Sequence, residues 1–337
     1  MALASLRMLA VVAVGAGLLA AGPAAGEGLR KVTLVLGYIP DVEMYGAEYA
    51  QREGLFKAEG LDVTLIPAGQ GVDQVQMVAA GIADVGMTSP EAIFAGADRG
   101  ESFKIFAAQF QKSPVAMTCR KDSGVGEPGK LKGKTLGLKA RAKPLFERFL
   151  SKNGLAATDF TVTTIGANDV SMIIAGRVDC MFTSFAFNEP LLIEKADVPV
   201  NVLQIGSYGM NSQSNSYFVK SSFLDDPANR ALLVKLIRAD TKAWVNFFKD
   251  PKAAADYIVD QKFIDGLDRE QQHEQARLQV EYMLGPLTRE KGLLWLNPAV
   301  YREVAENLFA AKITSKLIDA EAMLTFSILE EAQPPKL

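Results

Sequence analysis

An internal repeat limits this chain more than any other feature of its sequence. Residues 77–89 read Met-Val-Ala-Ala-Gly-Ile-Ala-Asp-Val-Gly-Met-Thr-Ser, and residues 172–184 read Met-Ile-Ile-Ala-Gly-Arg-Val-Asp-Cys-Met-Phe-Thr-Ser. At a constant offset of 95 (172 minus 77), Met77, Ala80, Gly81, Asp84, Thr88 and Ser89 coincide with Met172, Ala175, Gly176, Asp179, Thr183 and Ser184; Gly71 and Gly166 match upstream. A repeat sets the architecture before any single element does. Each copy reads as a short helix closed by a glycine, then a short apolar strand that starts at the aspartate and ends at Thr-Ser. Further strands are predicted at 32–37 and 61–66 around the first copy, and at 135–138 and 160–164 around the second. Strands alternating with helices imply α/β units with parallel sheets and right-handed crossovers. Two copies predict two lobes.

Open α/β sheets bind ligands beyond the carboxyl ends of their strands. That edge gathers segments 37–45, 68–73, 88–91 and 109–112 from the first lobe, and 139–143, 166–169 and 183–189 from the second. A cleft lies between the lobes if the two edges face each other. Asp84 and Asp179 fall at the opposite, amino ends and are read as structural. Segment 115–120 reads as the strand leaving for the second lobe and 216–220 as the strand returning. The division is lobe one at 27–114 plus 216–337 and lobe two at 115–215. From about 226 onward the chain reads as amphipathic helices, with Leu232, Leu233, Leu236 and Ile237 on one face, packing on lobe one.

The N-terminus predicts a destination. Arg7 is the sole charge before Glu27, and Met8 to Ala21 is an unbroken run of apolar residues and glycines. The run is about 14 residues, short of the ~20 that cross a bilayer as a helix. The small residues Ala24, Ala25 and Gly26 then offer a cleavage site. This is the layout of a signal peptide over 1–26, so the mature protein is expected to be secreted to the periplasm. No cysteine lies near the cleavage site, so no lipid anchor is expected.

A net charge of −3 without a basic tract argues against nucleic-acid binding. The chain holds one histidine, His273, in a run of Gln and Glu that reads as an exposed helix. Its two cysteines, Cys119 and Cys180, lack the spacing of a zinc or redox motif. No nucleophile elbow, zinc-protease helix, phosphate loop or dinucleotide fingerprint occurs. No catalytic residue, cofactor or metal is therefore expected.

The stretch Leu36-Gly-Tyr-Ile-Pro-Asp-Val-Glu-Met-Tyr-Gly-Ala-Glu-Tyr-Ala50, followed by Glu53-Gly-Leu-Phe and Glu59-Gly-Leu-Asp-Val63, resembles the opening of solute-binding proteins of ABC importers. The branch is the one that carries thiamine-precursor pyrimidines, riboflavin, alkanesulfonates and taurine. Gln111-Lys-Ser-Pro-Val115, Asp122-Ser-Gly124, Leu131-Lys-Gly-Lys134 and Asn188-Glu-Pro190 extend the resemblance over roughly 31 to 220. It implies an α/β type II periplasmic-binding fold: two lobes with central mixed sheets, closing on a ligand as a monomer and delivering it to an ABC permease in the membrane. In that fold segments 115–120 and 179–183 are antiparallel neighbours, which sets Cys119 opposite Cys180 and leaves open whether they bond. The Gly-Tyr-Ile-Pro and Asn-Glu-Pro elements are closer to the pyrimidine and riboflavin members. Sulfonate and nitrate members usually carry a small Gly-Ser anion loop where this chain has Lys139-Ala-Arg-Ala-Lys143.

The residues of the predicted edges fit a planar ligand. Tyr38, Tyr45, Phe185, Phe187 and Tyr208 offer flat faces, while Asp41, Glu43, Glu91 and Glu189 are acceptors for ring N–H and amino groups. Lys139 and Arg141 are placed to hold an acidic tail. Ser89, Gln109, Thr183 and Ser184 complete the expected ligand-binding set. The expected ligand is a pyrimidine, a riboflavin-like compound or another heteroaromatic. The alternatives are an alkanesulfonate, taurine or other small anion, and a pyrimidine-synthesising enzyme of the same fold.

Overall fold

A computed structural model of the chain describes residues 28–69, 72–139, 142–166 and 170–337. The expected signal peptide, Gly71, Arg141 and Asp169 lie outside the described residues.

Two five-stranded sheets carry the structure. The first has the order β2 (Leu61–Ile66), β1 (Arg30–Val35), β3 (Val85–Thr88), β10 (Ser216–Lys220), β4 (Phe103–Ala108). The second has the order β7 (Thr161–Ile165), β6 (Thr135–Lys139), β8 (Cys180–Phe185), β5 (Val115–Arg120), β9 (Val200–Gln204). In each sheet the first three strands are parallel. The fourth runs antiparallel and arrives from across the molecule, β10 against β3 and β5 against β8. The sheets are therefore mixed; sequence patterning alone pointed to parallel sheets, because the crossing strands lie outside the repeated units.

The repeated aspartates do one job twice. Asp84 Oδ2 accepts from Thr33 N at 2.8 Å, and Asp179 Oδ2 accepts from Thr135 N at 2.7 Å. Each satisfies an amide of the neighbouring strand just before its pairing begins, that of Thr33 within β1 and that of Thr135 at the start of β6. Cys119 pairs with Cys180 in register, their α-carbons 3.9 Å apart, and the two form a disulfide inside the second lobe.

The largest core belongs to the first lobe and is built by β1–β4, β10 and the C-terminal helices. The helix Pro227–Lys249 buries Leu232, Leu233, Leu236, Ile237, Trp244 and Phe247 there. It approaches the helix Tyr45–Arg52 closely at Gly46, where a Cβ would stand 2.2 Å from Trp244 Nε1 and 2.5 Å from Asp240 Oδ1. Among the described residues no helix is long and apolar enough to cross a membrane.

One expectation about this half of the chain fails. The helix Arg269–Met283 is not a solvated one: Gln271, Gln272, Gln275 and Gln279 are buried along one side of it. His273 is half-buried, its Nε2 2.7 Å from Asp256 Oδ1. Its buried face is largely amide, with Ala276, Tyr282 and Met283 beside the glutamines, and Gln271, Gln272 and Gln275 bond Asn188, Val42 N and Asp41.

Candidate functional site

The carboxyl ends of both sheets meet, as the two-lobe reading expects. Beyond β1 the chain turns through Tyr38 to Met44, where Asp41 caps a short helical turn by accepting from Glu43 N at 2.9 Å. Beyond β8 it turns into the helix Glu189–Lys195. Asn188 Nδ2 donates to Tyr38 Oη at 3.5 Å, and the Tyr38 and Phe185 rings lie stacked with centroids 6.3 Å apart. Phe187, fully buried, passes from the second lobe into the first-lobe core against Phe110 and Tyr282.

Three carboxylates converge here. Asp41 takes Gln275 Nε2 at 2.9 Å on its second oxygen. Glu43 takes Asn215 Nδ2 at 2.9 Å on Oε1, while Oε2 is buried without a hydrogen-bond partner. Asn215 also donates to Gln109 Oε1 at 3.0 Å, and Gln109 Nε2 donates to the Glu43 carbonyl at 2.7 Å. Glu189 accepts from Phe185 N at 2.7 Å and pairs with Lys139 Nζ at 3.0 Å. Lys139 also donates to the Thr183 carbonyl at 2.8 Å. Thr183 (φ 66°) and Asn215 (φ 52°) both adopt left-handed backbone, a cost that non-glycine residues bear mainly at turns and binding sites.

Burial governs the electrostatics. Desolvation pushes the Asp41 carboxyl up to about 7, against the opposing hydrogen bonds from Gln275 and Glu43 N. Desolvation and then Asp41 hold Glu43 well above the usual carboxylate range, with Glu189 adding to the effect. Desolvation and then the charge of Glu189 raise the Tyr38 phenol.

The structure thus gathers Tyr38, Asp41, Glu43, Gln109, Lys139, Thr183, Phe185 and Glu189 into one connected site. It places other expected residues elsewhere. Tyr45 points into the first-lobe core, stacked on Tyr49 and bonded to Asn246 Oδ1 at 2.6 Å, because its helix must bury that side against Trp244 and Phe247. Tyr208 packs on Phe149 in the second-lobe core. Ser184 bonds Thr118 Oγ1 at 2.5 Å inside the sheet. Ser89 caps the helix Pro90–Asp98. Glu91, raised by desolvation, accepts from Ser212 Oγ at 3.2 Å and lines a separate small cavity with Arg148, Asn211 and Asn307.

Four site residues went unread in the sequence: Asn215, Gln271, Gln272 and Gln275. Gln271 Nε2 bridges the lobes to Asn188 Oδ1 at 3.1 Å, and Gln272 Oε1 accepts from Val42 N at 2.9 Å. The signal was there, since glutamines at 271, 275 and 279 repeat at helical spacing on one face.

The model of the NMT1/THI5-like family matches residues 42–254. The riboflavin-binding protein RibY of Chloroflexus aurantiacus is 24% identical over 316 residues, spanning 91% of this chain and 88% of that protein. The 4-amino-5-hydroxymethyl-2-methylpyrimidine phosphate synthase of Aspergillus parasiticus is 27% identical over 232 residues, spanning 64% of this chain and 66% of that enzyme. Among solved structures, the periplasmic aliphatic sulphonate binding protein SsuA of Escherichia coli aligns with a TM-score of 0.65 at 13% identity, over 88% of this chain and 97% of that one. That likeness is one of fold.

Proposed function

The chain belongs to the NMT1/THI5-like family, and from that premise we propose that it is an extracytoplasmic solute-binding protein that delivers a small heteroaromatic molecule to an ABC permease. We assign lobe one to 27–114 plus 216–337 and lobe two to 115–215. One observation carries the reading: residues from the carboxyl ends of both sheets close on one another and hold a half-buried aromatic pair with buried acceptors beside it. Stacking faces hold a planar ring, and Asp41, Glu43 and Glu189 suit its N–H groups. Such an arrangement binds and orients.

Two relatives mark the competing readings. The synthase likeness raises an enzyme of the same fold. Against it stands the Cys119–Cys180 disulfide, a bond that persists in oxidising compartments and is rare in the cytosol. The single histidine also sits at Asp256, away from the carboxylates. The sulfonate reading is disfavoured by charge, since a small anion would enter beside Asp41, Glu43 and Glu189 with Lys139 already engaged.

A thermal-shift screen of the mature protein across pyrimidines, flavins, sulfonates and aromatic acids tests the assignment. At ligand 100 times above Kd the fold gains ~2.7 kcal/mol, so a heterocycle should raise Tm by several degrees. Stabilisation by sulfonates alone, or by nothing, would overturn it.

A further inference from the structure

The charge that the ligand brings is set by Glu43, and this inference rests on the cleft reading above. Glu43 is fully buried, with one oxygen on Asn215 and the other unpartnered. Asp41, two residues before it on the same turn, has both oxygens on uncharged N–H groups, those of Glu43 N and Gln275. From lobe two the pair faces Glu189, and from its own turn Tyr38. From the helix Arg269–Met283 it meets amides, Gln275 with Gln271 and Gln272 behind it. From the ends of β4 and β10 it meets Gln109 and Asn215. Among the described residues Lys139 is the cation on Glu189, and Glu189 and the Thr183 carbonyl hold it. Two ionised carboxylates side by side in a dry site repel strongly. Burial, and for Glu43 the neighbouring Asp41, favours the protonated form of the pair.

We propose that Glu43 determines specificity by selecting ligands with a basic ring nitrogen, bound as an N–H⁺ donor on its free oxygen. A neutral ligand takes the proton of the pair: one O–H bond breaks and one N–H bond forms. A ligand that arrives protonated sends the proton of the pair to solvent. Either way the complex holds a single proton, on the ligand. Binding is therefore tightest between the pKa of the ligand and that of the pair, and it weakens about tenfold per pH unit on either side.

Isothermal titration with 4-amino-5-hydroxymethyl-2-methylpyrimidine, from pH 5 to 9 and in buffers of different ionisation heat, counts the protons directly. The native protein should give a bell-shaped affinity profile and bind this probe more tightly than riboflavin. Glu43→Gln keeps the shape but removes the charge; it should bind the probe at least tenfold more weakly and lose the alkaline limb. A flat native profile, riboflavin as the tighter ligand, no binding of the probe, or an unchanged Glu43→Gln affinity overturns the proposal. If the variant fails to fold, the proton count on the native protein decides. The solute-binding reading is separate: it stands whenever any heterocycle binds and falls when none does.

Discussion

Asp41, Glu43, Glu48, Glu91 and Asp240 all sit in the folded chain with their carboxyls pushed up by burial, Asp41, Glu48 and Asp240 to about 7. In the unfolded chain they titrate near 4. Between those values the native state binds more protons, so stability falls as pH rises through that window. The carboxylates at Asp98, Asp122, Asp256, Asp268 and Glu274 are held low by partners and act in the opposite sense, below pH ~4. Denaturant midpoints should accordingly be higher at pH 5 than at pH 8; equal or reversed midpoints would show that these acids are ionised in the fold. Lys139 supplies a second residue-scale expectation. Lys139→Ala strips Glu189 of its cation inside the junction and should cost about 1–3 kcal/mol of stability. Tyr38, Glu43 and Glu189 were legible in the sequence because charged and aromatic side chains at a strand end advertise themselves. Tyr45 carried the same advertisement and was buried by its helix instead, which residue type alone does not reveal.

Eight of the ten strands among the described residues were legible, and β2 is observed at the predicted residues; β4 and β9, the outer strands beside the two crossing ones, went unread. The helix Arg269–Met283 was legible as a helix but not as a buried one, because pattern reading looks for apolar stripes and this helix buries a row of glutamines. Gln275 bonds Asp41 within the first lobe, and Gln271 reaches across to Asn188 of the second. Gln275→Ala should leave an Asp41 oxygen without its donor, lowering stability by about 1–3 kcal/mol and raising the Asp41 pKa further; an unchanged melting temperature would refute that role. The Cys119–Cys180 bridge ties β5, the strand that enters the second lobe, to β8, which leads into the site. It spans 61 residues, and reduction should cost roughly 2–4 kcal/mol. Denaturation with and without a thiol reductant checks this, and coincident curves would mean that the strand pair holds without it.

Contacts between the lobes lie on several sides of the molecule. Lys195 meets Asp268, Gln204 Nε2 donates to Tyr282 Oη at 2.8 Å, and Arg148 donates to Asn307 Oδ1 at 3.2 Å. All three are polar, the first exposed and the other two part-buried; an exposed ion pair is individually weak, which suits an equilibrium that ligand can tip. The radius of gyration from solution scattering should fall when a stabilising heterocycle is added, and a value independent of ligand would argue for a permanently closed body. The crossings between sheets are close together. Gln109 N donates to the Asn215 carbonyl at 3.1 Å and Phe110 N to that of Ser214 at 3.4 Å, so the chain leaves the first lobe and re-enters it through one doorway. Topologically the second lobe is then a cassette, spliced into a host domain at adjacent points. A short linker joining 114 to 216 would close the host across the gap, and the excised cassette carries its own disulfide and core. The lobe that supplies Lys139, Phe185 and Glu189 can then be exchanged while the lobe that holds Glu43 and the glutamine helix stays in place.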